Sequence, residues 1–239
     1  MSESVRRMFD QIAPRYDATN TVLSLGQHRR WRRRLVKWAD APEGGSVLDV
    51  ATGTGDVAFL FQEKVGLGGR VVGLDFSKEM LLLARDKAHE RNVEVEFREG
   101  DALQLPFPAH EFDVASIAFG IRNVDDPRRG VEEMARVVRP GGCVAVLEFG
   151  QPKGLMRLPY AVYSRLVLPV VGGAMTGDRK AYKYLQETSA TFPSGPEFEA
   201  LMHSTGKFSK VKTRRLTGGI VYAYLGTVAE TSRARTAER

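Results

Sequence analysis

Two glycines and two acids in the first third of the chain are the residues whose types and spacing best suit chemistry. Asp49 lies near the end of an apolar stretch, and Gly53 and Gly55 follow it before a helix-like segment begins. A second apolar stretch ends on Asp75. Glycines let a backbone come close to a ligand, and a carboxylate in the place of Asp75 can accept hydrogen bonds from both hydroxyls of a ribose. The pattern predicts a nucleotide-type cofactor site at the carboxyl ends of parallel strands.

A third acid helps to distinguish between cofactors. Residues 93–97 form a third predicted strand that leads into Asp101, where a carboxylate can accept a hydrogen bond from an adenine amino group. Asp49 would repel a pyrophosphate, whereas its charge suits the ammonium group of an amino-acid cofactor. Acids after three successive strands favour S-adenosylmethionine over NAD, although residues 53–58 also fit the looser dinucleotide fingerprint. The alternative is that these acids, including Asp75, only cap helices, a common position for Asp.

Length and composition are those of one α/β domain. The chain has 239 residues, 43% of them hydrophobic, which is enough for a sizeable core. Its single cysteine, Cys143, excludes an intramolecular disulfide framework and a cysteine-based zinc cluster, and no metal site is expected. The N-terminal residues are charged and lack an apolar signal core, and no window approaches the roughly 20 apolar residues of a membrane span. These features predict a cytoplasmic protein.

The net charge of +6 raises the question of an acidic partner. Basic surfaces can attract nucleic acid or anionic lipid. Enzymes that methylate nucleobase amines usually carry Pro-Pro-aromatic after the fourth strand, but no proline lies between Asp113 and Asp126, and Cys143 sits inside a predicted strand rather than at a nucleophile position. We therefore expect no nucleic-acid partner. Trp31, Leu35 and Trp38 recur at helical spacing, so the arginines around them are expected on a solvated helix face.

Strands and helices alternate from residue 46 onward. Strands are predicted at 46–51, 70–75, 93–98, 112–117 and 142–149, with helices at 56–65, 77–90 and 126–138. This alternation predicts right-handed crossovers and a parallel sheet that helices cover on both faces. Later in the chain, helices are predicted at 155–171, 178–191 and 197–204, and strands at 207–213 and 219–226 should form an antiparallel pair at the sheet edge.

This order of elements predicts a single domain over residues 1–227. Its parts are a helical N-terminal cap (1–40), a cofactor-binding core (46–150), a helical insertion (153–192) and a closing helix with strands (193–227). The cap should be broken near Pro14 and again within residues 19–24. Residues 228–239 are polar and aperiodic, which predicts a flexible tail.

Three long motifs carry a family resemblance. The first consists of Tyr16, Asp17, Asn20, Ser24, His28 and Trp31. Residues 119–123 read Phe-Gly-Ile-Arg-Asn, and residues 136–142 read Arg-Val-Val-Arg-Pro-Gly-Gly before a Leu-Glu-Phe sequence. On these motifs the chain resembles the ubiquinone/menaquinone biosynthesis C-methyltransferases along nearly its whole length, although Thr19 stands where the family usually has Met. The resemblance implies a class I S-adenosylmethionine-dependent methyltransferase fold, Rossmann-like, with a mostly parallel seven-stranded sheet, N-terminal helices and a helical insertion.

The resemblance also implies a set of residues that bind S-adenosyl-L-methionine. Family contacts fall on Thr54, Asp75, Asp101 and Ala102, and some members place a binding serine where this chain has Ala118. Together with the loop residues, the predicted cofactor-binding set is Asp49, Thr52, Gly53, Thr54, Gly55, Asp75, Phe76, Asp101, Ala102 and Ala118.

The implied reaction is methylation of a ring carbon on a polyprenyl quinol. An aromatic carbon becomes a good nucleophile when a neighbouring hydroxyl, with a pKa of about 10 like that of tyrosine, loses its proton, and a nearby cation favours that phenolate. Arg122 is the candidate cation, unless it pairs structurally with Asp125 or Asp126. His28, as a base or a packing histidine, and Tyr16, in the wall of the acceptor pocket, are the other catalytic candidates.

The sequence leaves more than one alternative for the methyl acceptor and for the binding partners. The prediction leans to demethylmenaquinol in menaquinone biosynthesis, with a benzoquinol precursor of ubiquinone, or another phenolic or lipid acceptor, as alternatives. The apolar residues 166–175 suit an isoprenoid tunnel, peripheral contact with the inner face of the membrane, or a core or dimer-interface helix. The family suggests a homodimer. A vestigial basic binding protein and a nicotinamide oxidoreductase are the competing functions.

Overall fold

Helices make up the N-terminal part of the chain. A computed structural model describes residues 3–167, 170–171 and 179–230. The first helices are α1 (Glu3–Ile12), α2 (Tyr16–Leu23) and α3 (Gln27–Ala39), with a 3-10 turn (Ala13–Arg15) between α1 and α2. The break expected near Pro14 is therefore confirmed.

The strands in the described part of the chain form one sheet, in the order β3-β2-β1-β4-β5-β7-β6. They are β1 (Ser46–Val50), β2 (Arg70–Asp75), β3 (Glu96–Glu99), β4 (Phe112–Ala118), β5 (Val138–Phe149), β6 (Phe208–Leu216) and β7 (Val221–Val228). Strands β1 to β5 pair in parallel, whereas β7 pairs antiparallel with both β5 and β6. The predicted seven-stranded, mostly parallel sheet with an antiparallel edge pair is confirmed.

Helices alternate with the strands and then form the insertion. They are α4 (Asp56–Val65), α5 (Lys78–Arg91), α6 (Pro127–Val137), α7 (Arg157–Val162), α8 (Arg179–Thr191) and α9 (Pro196–Ser204). A π-helical turn (Tyr163–Val167) continues α7. The predicted break at residues 172–173, the predicted start of a helix at residue 178 and most of the predicted tail (231–239) lie outside the described residues.

Each face of the sheet carries a hydrophobic core, as parallel strands require. Leu48 of β1 packs into the core under α6 and α9, which includes Phe198. Its neighbour Val47 packs on the other face with α3, α4 and α5, where Phe59 is buried. Successive strand side chains point to opposite faces, so the continuous apolar stretches of the sequence supply both cores.

The second break in the N-terminal helices lies later than the predicted position within residues 19–24. Helix α2 continues to Leu23, and the chain turns at Leu25 and Gly26, which have φ of 49° and 73°. Thr19 fits inside the helix because its hydroxyl donates to the carbonyl of Arg15 at 2.8 Å, a local bond that polar helix residues often form.

Two strand starts also differ from the prediction. β3 begins at Glu96 rather than residue 93, because the Val93 N–H donates at 3.0 Å to the carbonyl of Ala88 in α5 instead of pairing in the sheet. β5 begins at Val138 rather than residue 142. Residues 139–142, expected as a turn before the strand, form an irregularity inside it, where the register with β4 shifts.

Packing at the N-terminus of α4 requires a glycine at residue 55. The sequence suggests that a side chain there would hold the backbone away from a cofactor. A Cβ at Gly55 would instead lie 2.9 Å from the ring of Phe59 and 3.1 Å from that of Phe97. By contrast, a Cβ at Gly53 would meet no atom within 4 Å. Only Gly53 leaves open space beside the loop.

We expect Gly55→Ala to destabilise the fold more than Gly26→Ala. Both glycines are helix N-caps with similar left-handed conformations, φ 85° and ψ 2° at Gly55 and φ 73° and ψ −1° at Gly26, so each alanine should carry about 1–2 kcal/mol of backbone strain. A Cβ at Gly26 meets nothing within 4 Å, so the overpacking at Gly55 should add about 1–3 kcal/mol. Urea unfolding of both variants measures the difference, and equal free energies of unfolding would contradict this account.

Candidate active site

A small cavity lies at the carboxyl ends of the central strands, where the strand order reverses between β1 and β4. Such switch points are where open α/β sheets bind ligands. Three predicted cofactor residues, Gly53, Asp75 and Ala118, line it. Arg6 and Phe9 of α1 line its other side, so the N-terminal helix covers the strand ends.

Asp75 is fixed at the end of β2 by backbone donors. The Gly53 N–H donates to Asp75 Oδ2 at 2.7 Å, and the Ser77 N–H donates to Oδ1 at 2.9 Å. Burial raises the pKa of Asp75, and these N–H groups oppose that rise. Phe76 is a third backbone donor to this carboxylate, which has about four lone-pair sites, so Asp75 keeps capacity for a further donor such as the hydroxyl of a sugar.

Asp49 is buried beneath the same cavity. It is 1% exposed and accepts hydrogen bonds from Thr52 Oγ1 at 2.7 Å and Ser116 Oγ at 2.6 Å. Burial raises its pKa to about 6 despite those two donors. A cation placed nearby would favour the charged form of this carboxyl group and lower its pKa.

The remaining predicted cofactor residues do not line the small cavity. Asp101 follows the edge strand β3 and accepts the Leu103 N–H at 3.0 Å, and Ala102 packs against the core under α6. Phe76 lies under the guanidinium of Arg6, whose Cζ is 5.5 Å from the ring centroid.

The helix-capping alternative is wrong for the three acids. The N-cap of α4 is Gly55, and that of α5 is Ser77, whose hydroxyl accepts the Met80 N–H at 3.1 Å as the sequence predicts. Asp101 is followed by an isolated bridge to Gln104 rather than by a helix. The carboxylates therefore have other partners.

Thr54 belongs to a partly buried charge network that joins the N-terminal helices to the core. Its hydroxyl donates to Asp17 Oδ1 at 2.8 Å and accepts from Lys87 Nζ at 2.8 Å. Lys87 Nζ also contacts Asp17 Oδ2 at 2.5 Å and Asp56 Oδ1 at 3.0 Å, and Arg32 donates to Asp56 at 2.5 Å. Burial raises the pKa of Asp56, but Arg32 and Lys87 outweigh it and hold that pKa below its usual value. The network fastens α2 and α3 to the cofactor loop.

A second, larger cavity of ≈ 810 Å³ adjoins the first. Phe9, Tyr16, Phe119 and Asn123 border both cavities, so these residues mark the junction. The larger cavity extends between the N-terminal helices, the end of β5, α7 and α8, with aromatic walls that include Trp31. Its volume lies within the range of about 300–1,000 Å³ for small-molecule sites.

Arg122 forms a buried ion pair at this junction. It does not pair with Asp125 or Asp126, as the structural alternative supposed. Instead, its Nη1 lies 2.6 Å from Glu148 Oε1, with the two side chains 4% and 1% exposed, and it also donates to the carbonyl of Phe119 at 2.6 Å. Asp126 accepts a backbone N–H at the start of α6. A fixed guanidinium therefore lies in the wall of the larger cavity.

His28 and Tyr16 also line the larger cavity. His28 Nδ1 lies 2.6 Å from Ser24 Oγ, and burial, together with the charge of Arg32, lowers the pKa of His28 to about 4. Burial raises the pKa of Tyr16, although Arg32 and Arg122 oppose that rise. At neutral pH His28 is therefore uncharged and Tyr16 protonated.

Sequence reasoning missed the roles of four residues of this region. Asp17 and Lys87 lie far apart in the chain, and no local pattern connects them to Thr54. Asn123 was noted only as part of a family motif, although it borders both cavities. Glu148 was considered a structural carboxylate; its partner could not be inferred because the ion pair depends on how β4 and β5 lie side by side.

The described residues contain no candidate metal cluster, no reactive thiol and no helix that could span a membrane. No group of three or more His, Cys, Asp and Glu side chains there could hold a metal ion. Burial raises the pKa of Cys143 to about 12, which makes this thiol inert. Nor does any helix within that part of the chain have the length and apolar character to cross a membrane.

Solved structures share this fold at low sequence identity. A methyltransferase from Thermotoga maritima has a TM-score of 0.66 and 21% identity, covering 93% of this chain and 98% of its own. A phosphoethanolamine N-methyltransferase from Haemonchus contortus, solved with S-adenosylmethionine, has a TM-score of 0.61 and 14% identity, covering 83% of this chain and 52% of its own. These matches support the fold alone, which is that of S-adenosylmethionine-dependent methyltransferases.

Sequence comparison is more specific. A protein named ubiquinone/menaquinone biosynthesis C-methyltransferase from Bdellovibrio bacteriovorus is 49% identical over 231 residues, covering 95% of this chain and 96% of its own length. A demethylmenaquinone methyltransferase from Thermus thermophilus is 46% identical over 220 residues, covering 92% and 99%. The profile of the ubiE/COQ5 methyltransferase family matches residues 1–228. The chain belongs to the ubiE/COQ5 methyltransferase family and is an S-adenosylmethionine-dependent methyltransferase.

Proposed function

We propose that this protein transfers a methyl group from S-adenosylmethionine to a ring carbon of a polyprenyl quinol, with demethylmenaquinol as the acceptor and menaquinol as the product. One observation carries the proposal: the buried guanidinium of Arg122 lies in the wall of an aromatic cavity of ≈ 810 Å³. A fixed cation beside an apolar cavity suits an acceptor that is greasy yet becomes anionic when it reacts. The name of the Thermus thermophilus relative points to the same acceptor.

The residues at the strand ends fit the cofactor. Open space lies beside the backbone of Gly53, where a Cβ would meet no atom within 4 Å, and Asp75 can accept from a ribose hydroxyl. We assign the ammonium group to Asp49, whose pKa of about 6 would fall beside a cation. When bound, S-adenosylmethionine supplies an electrophilic methyl group.

The other predicted cofactor residues support this site in different ways. Asp101 and the N–H of Ala102 are assigned to the adenine, with Phe76 packing beside it. Thr52 holds Asp49 and Thr54 holds the loop to Asp17, so both act through other residues. Two further residues matter for space alone: Gly55, which packs against Phe59, and Ala118, which lines the small cavity.

Arg122 is the group proposed to activate the acceptor. A quinol hydroxyl with an ordinary pKa of about 10 ionises rarely at neutral pH. A guanidinium in a water-poor cavity stabilises the phenolate far more than it would in bulk water. Arg122 itself stays protonated, so it is not the base. The hydroxyl proton therefore passes to water while Arg122 holds the negative charge on the oxygen.

The atoms and charges balance without a further co-reactant. Negative charge on the oxygen moves into the ring and makes the adjacent carbon nucleophilic. That carbon bonds to the methyl group as the carbon–sulfur bond breaks, and it then loses its hydrogen to water as a proton, which restores aromaticity. The oxygen is then again an oxyanion and takes back one proton from water, so one proton is released overall. Tyr16, protonated at the junction of the cavities, is assigned to positioning the ring. The low pKa of His28 argues against a role as base, because an efficient base has a pKa near the working pH.

A methyl-transfer assay tests the proposed function. The purified chain is incubated without oxygen with S-adenosylmethionine and, in parallel, a reduced demethylmenaquinone analogue and a reduced benzoquinone precursor of ubiquinone. Mass spectrometry should detect a product one CH₂ unit heavier from the naphthoquinol. If only the benzoquinol is methylated, the acceptor is a benzoquinol rather than demethylmenaquinol. If neither compound is methylated, the proposal is contradicted.

An apolar rim of exposed residues lies close in the chain to residues that line the larger cavity, and we assign it to the membrane surface. We define this rim by its exposed residues, Val22, Leu25, Leu155, Leu158, Val162 and Leu166. The hydroxyl of Tyr163 donates to the carbonyl of Leu23, which joins α7 to the α2–α3 turn. On α7 the spacing of rim residues places them on one helical face while Tyr160 lines the cavity.

Charge supports lipid as the occupant of the apolar rim. Arg29 and Arg157 are exposed beside it, and basic groups next to exposed apolar residues favour an anionic bilayer surface. A polyprenyl chain leaving the cavity at this rim would continue into the lipid. The homodimer suggested by the family stays a prediction, and a second copy of the chain is the alternative occupant of the rim.

Replacing Arg122 should abolish catalysis even when stability is restored. Arg122→Met alone should destabilise the fold by about 3–5 kcal/mol because Glu148 is left buried and unpaired. The double variant Arg122→Met/Glu148→Gln has no buried charge and should recover most of that loss, yet its kcat should fall at least about 100-fold. Thermal unfolding and methyl transfer at saturating substrates measure the two effects. Normal kcat in a folded double variant would refute the role of Arg122.

His28 should make the protein less stable as the pH falls. Its pKa is about 4 in the folded state against 6.5 when unfolded, so below pH 6.5 the unfolded chain binds a proton that the folded chain does not. Between pH 7 and pH 5 this difference should lower the free energy of unfolding by about 2 kcal/mol. His28→Gln should lose less stability over that range while keeping most of its kcat. Parallel stability curves would show that the folded state does not depress this pKa.

Membrane contact should depend on the apolar rim and not on exposed leucines elsewhere. Leu158→Glu should weaken binding to anionic phospholipid vesicles about tenfold, since a leucine loses its burial in the bilayer. Leu67→Glu, which changes a fully exposed leucine (103%) in the loop before β2, is the control and should bind like the wild type. Vesicle flotation measures both. If Leu158→Glu instead changes only the sedimentation coefficient, the rim is a contact between copies of the chain.

A further inference from the structure

A buried amide oxygen lies where the two cavities meet. Asn123 is 5% exposed and borders both cavities. Within the described part of the chain, no donor reaches its Oδ1. Buried polar atoms are almost always hydrogen-bonded in native proteins, so an acceptor without a partner at the point of methyl transfer suggests that a ligand supplies the missing donor.

The turn that carries Asn123 is held firmly. The Asn123 N–H donates to the carbonyl of Gly120 at 3.0 Å, and the preceding residue, Arg122, is fixed by Glu148 and by the carbonyl of Phe119. The backbone therefore cannot easily shift to give Asn123 Oδ1 an internal partner. The fold itself therefore leaves Asn123 Oδ1 without a hydrogen-bond donor among the described residues.

A donor without a partner accompanies this acceptor. Arg122 Nε is also buried and, among the described residues, has no hydrogen-bond partner. The turn thus carries one charged donor and one neutral acceptor on consecutive residues. A ligand that satisfies both must bring an oxygen that accepts and a hydroxyl that donates.

We propose that Asn123 makes the enzyme select the reduced form of its acceptor. In a quinol that has lost one proton, the oxyanion accepts from Arg122 and the remaining hydroxyl donates to Asn123 Oδ1. An oxidised quinone carries two carbonyl oxygens, which only accept, so it leaves Asn123 unpaired. Sites built to bond a substrate hydroxyl reject analogues that lack it. This inference rests on the proposed function, because it assumes a quinol acceptor.

Binding, rather than turnover, tests the inference. The protein is loaded with S-adenosylhomocysteine, which has no methyl group to transfer, and titrated without oxygen with a short-chain 2-prenyl-1,4-naphthoquinol and with the corresponding quinone. The wild type should bind the quinol at least about fivefold more tightly than the quinone. Asn123→Leu, of similar size, should weaken quinol binding by about that factor and leave quinone binding and S-adenosylhomocysteine binding within twofold.

Further variants separate selection from a general structural role. Asn123→Asp keeps an acceptor oxygen and should retain the preference for quinol. Asn123→Ala replaces the leucine variant if that variant does not fold, and it should lose the preference for quinol. Equal weakening of quinol and quinone binding, or a wild type that binds both equally because the amide turns and donates to a carbonyl, would overturn the proposal. If Asn123→Leu and Asn123→Ala keep the preference for quinol while the wild type methylates quinol, only the role of Asn123 is refuted. A preference for quinol without methyl transfer would refute only the proposed reaction.

Discussion

The ion pair between Arg122 and Glu148 is the interaction on which the rest of the site depends. A buried guanidinium is tolerable only beside an opposite charge, since an isolated ion loses several kcal/mol of hydration. Glu148 supplies that charge, and it can do so because β5 pairs in parallel with β4 and brings its end beside the turn that follows β4. The parallel pairing of β4 and β5 thus places Arg122 beside Glu148, whose charge allows the guanidinium to stay buried.

The ion pair with Glu148 balances the charge of Arg122, but Arg122 Nε has no hydrogen-bond partner among the described residues. Glu148 Oε1 also accepts the Phe149 N–H at 2.8 Å, so this carboxylate is fixed by its own backbone as well as by Arg122. The guanidinium therefore cannot follow an incoming ligand far into the cavity; a ligand must bring its oxygen to the guanidinium. A preorganised cation of this kind stabilises developing charge without reorganising during the reaction.

Much of the fold followed from local patterns. Apolar stretches that end on Asp49 and Asp75 predicted the strand ends, and the carboxyl ends of parallel strands necessarily meet at one edge. Non-local contacts were beyond such patterns. The partner of Arg122 depends on the lateral pairing of two strands, and the contact of Lys87 with Thr54 depends on how α5 packs. Local hydrogen bonding also accounts for Thr19, whose hydroxyl bonds within helix α2 to the carbonyl of Arg15.

The two cavities divide the chemical work, and this division constrains the acceptor. The strand ends are polar and suit a cofactor with a sugar, a base and charged groups. The larger cavity is mostly walled by apolar and aromatic residues and opens at the apolar rim, so the hydrophobic part of an acceptor gains free energy by lying there. Its reacting ring must nevertheless reach the junction with its oxygens toward Arg122 and Asn123. An acceptor with a polar head and a long apolar tail meets both demands at once, because its tail can remain in the rim while its head reacts.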